Sequence, residues 1–213
     1  MKIACPFCAQ KLDLSDVPPF SKVECPACKH TFKVPRRLDG FLLEEVIGEG
    51  RVSVVYRALD VTLDRDVAIK VLRRNVSAAP KEAARFLAEA RKLAVMTHPR
   101  IIPIFTCGED DGSAYIGMQL MHKSSLFRWL RERREMFTPD FSLFVALAVA
   151  QGLEAARQKC IIHGNVSPQN ILFDDDNEPV ISSTPGFVLE TWADRVISTN
   201  TAISVKRTAP FKK

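Results

Sequence analysis

Four cysteines are spaced for metal chemistry. Cys5 and Cys8 frame a Cys-Pro-Phe-Cys turn, and Cys25 and Cys28 frame Cys-Pro-Ala-Cys twenty residues on. Each Cys-x-x-Cys turn aims two sulfurs at one point, and two such turns supply a tetrahedral S4 set with Zn–S bonds of about 2.3 Å. Four soft thiolates with no open position suit a structural zinc better than a catalytic one. Two local disulfides or a dithiol redox motif are the alternatives. Redox use favours a single Cys-x-x-Cys opening a helix over a matched pair.

A second set of residues combines glycines, which by themselves usually just turn a hairpin, with charged and amide side chains. Gly48 and Gly50, in "IGEGRVSVVYRA", let backbone N–H groups approach an anion closely. Ala68 and Lys70 share one face of a strand. Glu89 follows Phe86 by three residues and precedes Leu93 by four, so its carboxylate lies on an apolar stripe, where it needs a cation. In "IIHGNVSPQNILF", Asn165, Ser167 and Asn170 stand close together. A carboxamide accepts hydrogen bonds but cannot take a proton as a carboxylate base does.

The elements that must position these groups follow from periodicity. Residues 1–35 read as one unit with an internal repeat, and 36–40 as a short linker. "FLLEEVIGEGRVSVVYRALD" and "RDVAIKVL" alternate and are rich in valine, which predicts three antiparallel strands. The stretch 81–96 has helical apolar spacing. Two strands are expected around the Asp-Gly pair at 111–112. A long helix is expected over 138–160, with Thr138 as N-cap and Pro139 at its first position. Three consecutive aspartates, Asp174 to Asp176, read as a solvated turn.

The chain has 213 residues, 46% of them apolar, enough for a real core beside a small module. A formal net charge of +5 is too modest to suggest a nucleic-acid partner. No apolar run reaches the length of a membrane span; the best, "LFVALAVA", reads as buried helix. No signal-peptide pattern opens the sequence, and two tight cysteine pairs suit a reducing compartment, so a cytoplasmic location is expected.

Taken in order, the motifs over residues 41–185 resemble those of the protein kinase family, and bacterial serine/threonine kinases most. "IGEGRVSVVYRA" resembles the glycine-rich loop, with Ser53 at its third glycine; "VAIK" resembles the strand carrying the phosphate lysine; and "HGNVSPQN" resembles the catalytic loop. Residues 1–35 are similar to small zinc-ribbon modules of bacterial proteins. The resemblance implies an α+β fold: a zinc ribbon (1–35), a linker (36–40), a small lobe of antiparallel sheet plus one helix (41–121), and a partial helical large lobe (122–213). It implies a nucleotide site formed by Ile47, Gly48, Gly50, Val55, Ala68, Lys70, Met118, Gln119, Met121, Asn170 and Leu172. Met118 would be the gatekeeper, Gln119 to Met121 the hinge, and Glu89 the ion-pair partner of Lys70.

The same resemblance exposes departures. Asn165 stands where the catalytic aspartate belongs and Ser167 where the loop lysine belongs. Ser183, or Thr184 with a one-residue shift, takes the place of the metal-binding aspartate. Mg²⁺ prefers anionic oxygens, and phosphoryl transfer depends on positioning and charge neutralisation. "TAPFKK" near the end resembles a worn Ala-Pro-Glu motif. The expectation is therefore a degenerate, C-terminally short pseudokinase with structural Zn²⁺. It would act in bacterial signalling by binding ATP with little Mg²⁺ dependence, or by binding a protein partner or second copy through the apolar helix 138–160. An active serine/threonine kinase, and a zinc ribbon that binds nucleic acid or protein, are the alternatives.

Overall fold

Two short hairpins begin the chain in the computed structural model, which describes residues 2–77 and 80–182. Strands β1 (Lys2–Ala4) and β2 (Lys11–Asp13) form the first hairpin; β3 (Lys22–Glu24) and β4 (Thr31–Lys33) form the second. Each cysteine turn closes the same way. The Cys5 N–H donates to the Gln10 carbonyl and the Ala9 N–H to the Cys5 carbonyl; Cys25, His30 and Lys29 repeat this pattern. Ala9 and Lys29 both sit at φ 60°, the left-handed conformation that folds the chain back towards its sulfurs.

The main sheet has six antiparallel strands: β5 (Arg36–Leu38), β6 (Phe41–Glu49), β7 (Ser53–Asp60), β8 (Arg65–Leu72), β9 (Ile104–Asp110) and β10 (Ser113–Gln119). Their spatial order is β5-β6-β7-β8-β10-β9. The expected linker at 36–40 is thus a paired edge strand and its turn. Leu38 explains this, since it is 1% exposed within the sheet's outer apolar cluster. Two side chains fasten the turn at Asp39: the Tyr115 hydroxyl donates to its carboxylate at 2.5 Å, and its own N–H donates to Asp110 at 2.7 Å. Phe20 of the ribbon packs on that same cluster, its ring stacked on Tyr56.

The opposite face carries α2 (Pro80–Ala94), preceded by a single turn, α1 (Arg74–Ser77). Phe86, Ala90 and Leu93 are buried against Ala68, Leu72 and Ile116, as the periodicity requires. Below the sheet lie α3 (Leu126–Glu132), α4 (Pro139–Gln158) and the hairpin of β11 (Ile171–Phe173) and β12 (Pro179–Ile181). The Thr138 hydroxyl accepts the Phe141 N–H at 3.2 Å and caps α4. Trp129 and Phe173 stack with ring centroids 3.9 Å apart, and Phe141 joins them. α4 is less uniformly buried than its composition suggests: Val145 and Ala148 are covered, whereas Leu143 is 69% and Leu147 56% exposed. Among the described residues no helix is long and apolar enough to cross a membrane. Ser183, Thr184 and the "TAPFKK" stretch lie outside the described residues.

Candidate nucleotide cavity and metal centre

The two cysteine turns converge. Cys5 Sγ lies 3.7 Å from Cys28 Sγ and Cys8 Sγ lies 3.7 Å from Cys25 Sγ. All four sulfurs fall within 4.8 Å of one another. A tetrahedron with Zn–S bonds of about 2.3 Å has edges of about 3.8 Å, so the spacing fits one ion and is far too long for S–S bonds. The Cys28 N–H, and then that of Ala27, hold the Cys25 thiol down at about 6. The Cys8 and Cys28 thiols are pushed the other way, so it is the spacing of the four sulfurs that marks a group able to hold a metal ion such as zinc. The symmetry of the hairpins, each ending in a cysteine turn, makes this convergence possible.

A separate cavity of about 410 Å³ lies between the six-stranded sheet and the loop before β11. Its roof is the β6–β7 hairpin, with Ile47, Gly48, Gly50 and Val55. Ala68 and Lys70 of β8 line its back, and Met118, Gln119 and Met121 its inner edge. Asn165, Asn170 and Leu172 form its floor. These residues span more than a hundred positions of sequence, and the antiparallel register gathers them: Val55 pairs with Lys70, and Ala68 with Met118. Ile102, Gln169 and Ser182 also line the cavity. No spacing in the sequence points to Ile102, whereas Gln169 and Ser182 flank motif positions. Glu89 does not reach the cavity.

Lys70 is 3% exposed and forms no hydrogen bond or ion pair among the described residues. Burial pushes its ammonium down to about 7, with the charge of Glu89 pulling the other way. The expected Lys70–Glu89 ion pair is not made. Glu89, 4% exposed, accepts from Arg85 Nε at 3.0 Å instead. An arginine one turn back on the same helix meets the carboxylate's need for a cation without any help from β8. Burial raises the Glu89 pKa, and the Arg85 hydrogen bond opposes that.

The loop over 163–170 is ordered by its own polar groups. Buried His163 accepts the Asn165 N–H at Nδ1 and sets Nε2 3.2 Å from the Ser182 carbonyl. Burial lowers its pKa, so the neutral ring is favoured. The Asn170 amide donates to the Asn165 carbonyl at 2.8 Å. Ser167 opens the 3-10 turn Pro168–Asn170, outside the cavity lining. Among the described residues the single carboxylate lining the cavity is Glu49, on the roof hairpin, where Arg73 lies 3.4 Å away.

Residues 41–182 match the protein kinase domain family. The chain belongs to that family. Its kinase domain is 35% identical over 143 residues to a probable serine/threonine-protein kinase of Streptomyces coelicolor, covering 65% of this chain and 21% of that protein. It is 34% identical over 138 residues to serine/threonine-protein kinase PknL of Mycobacterium tuberculosis, covering 65% and 34%. The chain thus spans a fifth to a third of these relatives. Among solved structures, the apo form of PpkA superposes with a TM-score of 0.63 at 24% identity, over 70% of this chain and 59% of that one. The M. tuberculosis PknI kinase domain superposes at 0.62 and 23% identity, over 70% and 61%. These two likenesses show the kinase fold.

Proposed function

We propose that this kinase domain is a pseudokinase, which binds a nucleotide without transferring its phosphate and carries a ribbon held by structural Zn²⁺. The observation that carries the reading is the charge of the cavity. Its described lining offers one carboxylate, Glu49, on the wrong wall and beside Arg73. A neutral amide, Asn165, stands where a base would act. Among the described residues a divalent ion would find only amide and hydroxyl oxygens near Asn170, and such oxygens hold Mg²⁺ weakly.

Nucleotide binding itself needs none of the lost groups. Val55, Ala68, Met118 and Leu172 form an apolar slot for a base. Lys70 is buried and makes no hydrogen bond or ion pair among the described residues, so a phosphate would relieve the cost of charging it there. The protein's work would then be done by its bound, phosphate-filled shape in bacterial signalling.

Labelled ATP tests the first half: no transfer to the chain itself or to a general protein substrate is expected with Mg²⁺ or Mn²⁺. Thermal shift tests the second: ATP should raise the melting temperature to a similar extent with and without Mg²⁺. Robust transfer would overturn the pseudokinase reading, and absence of any ATP shift would overturn nucleotide binding.

A further inference from the structure

A groove of about 730 Å³ lies apart from the candidate nucleotide cavity and shares no lining residue with it. It runs between the first ribbon hairpin and strands β6 and β7. The ribbon straddles the β5 edge of the sheet. Phe20 lies on the outer face with Tyr56 and Ala58, while Arg57 and Leu59, which alternate with them on β7, face the groove.

We propose that this groove docks an acidic, extended peptide segment of a partner protein. The first argument is the wall formed by β1. All three residues of β1, Lys2 to Ala4, line the groove, as do Cys5 and Pro6 of the turn that follows. A strand seen face-on would contribute only alternate residues, so β1 presents its edge. Among the described residues β1 pairs with β2 alone, and its other edge has no strand beside it. An extended chain can add to such an edge.

The second argument is the floor. Ile3, Phe32, Leu42, Leu59 and Val61 give it an apolar surface in which alternate side chains of an added strand could seat.

The third argument is charge, which selects the occupant. Lys2, Lys33, Arg37 and Arg57 outnumber Glu44 and Glu45. Glu44 is already taken by Arg57 at 3.1 Å. Lys2, Lys33 and Arg37 are exposed and form no ion pair among the described residues. Three cations without an ion pair among the described residues, Arg37 with its Nε on the Asp39 carbonyl at 3.4 Å, surround an apolar floor and complement acidic side chains alternating with apolar ones.

The test uses the zinc-loaded full chain and a fluorescein-labelled peptide of about ten residues alternating glutamate with valine. Saturable binding is expected by anisotropy, falling with added salt. A lysine–valine counterpart should not bind. The triple charge reversal Lys2→Glu, Lys33→Glu, Arg37→Glu lies at exposed positions and should weaken binding about tenfold or more, leaving the ATP thermal shift unchanged. Absence of binding, equal binding of the lysine peptide, or indifference to the triple variant would each overturn the proposal. So would a self-association that the triple variant abolishes, which would assign the groove to a second copy, or tighter binding of a single-stranded oligonucleotide lost in the same variant. A kinase assay reads the cavity alone, so failure of the pseudokinase reading would leave this result standing.

Discussion

Phe20 of the ribbon lies parallel to Tyr56 of β7, with ring centroids 5.6 Å apart and planes 8° from parallel. Tyr56 follows Val55, which lines the candidate nucleotide cavity from the other face of the same strand. The ribbon is therefore packed into the small lobe's outer core. Phe20→Ala should destabilise the chain by about 2 kcal/mol, less than the loss of a fully buried aromatic, because Phe20 is only partly buried. Chemical denaturation should show one transition with a lower midpoint. Two transitions, with the second unchanged, would show that the ribbon is energetically separate.

Zinc removal should act through the same contact. Cys25→Ser should abolish bound zinc by elemental analysis and lower the melting temperature of the whole chain by about 5 °C or more. Full zinc content in that variant would refute the four-sulfur site.

Lys70 is predicted to cost stability in the absence of a ligand. Its folded pKa, about 7, lies below the unfolded value of 10.5. Between those limits the unfolded chain holds the extra proton, so stability should rise as pH climbs from about 7 towards 10. Lys70→Met should remove that slope and stabilise the unliganded chain by about 1–3 kcal/mol, while abolishing the ATP shift. Urea titrations at pH 7 and pH 9 check the first part. A destabilised Lys70→Met would show that the ammonium has a partner in the fold.

Restoring the base alone is not enough. Asn165→Asp is expected to transfer no measurable phosphate, because the described cavity wall still lacks a metal carboxylate and Glu89 stays with Arg85. Measurable turnover by this single variant would place a metal ligand where none is described.

Gly152 sits mid-helix in α4, where alanine would normally gain about 1 kcal/mol of helix propensity. Here an added Cβ would lie 2.8 Å from Ile181 Cδ1 and 3.0 Å from the Arg100 carbonyl. Backbone on one side cannot yield, so overpacking of about 1–3 kcal/mol should win and Gly152→Ala should lower stability. A more stable variant would mean that α4 can shift away from β12.

Local pattern was enough for the strands, for the Thr138 cap and for the cysteine pairs, since each rests on residues within a turn or two of one another. The cavity was legible because its motifs stand in a family order. What escaped depended on how finished elements meet. Glu89 was placed on a buried stripe, but the choice between Lys70 across the sheet and Arg85 one turn away depends on how α2 sits against β8. Arg36 to Leu38 looked like a linker because three residues show no period. Leu38 found a place only once Phe41, Leu43 and Phe20 had assembled around it. The ribbon's docking hung on Phe20, a lone aromatic beside two prolines that nothing in its own segment could bury.

The edge strand β5 has a practical consequence for anyone trimming this protein. The family match begins at Phe41, the first residue of β6, and a chain cut there would look complete by homology. It would lose Arg36 to Leu38, which pair with Phe41 to Leu43, and with them the ribbon's cover. The first strand of the shortened protein would then be an open border, long and rich in leucine, ready to recruit any passing strand. Such a fragment should gel or precipitate on concentration where the whole chain stays clear. The first forty residues would be serving as a selvedge, the bound margin that keeps a woven sheet from unravelling into its neighbours.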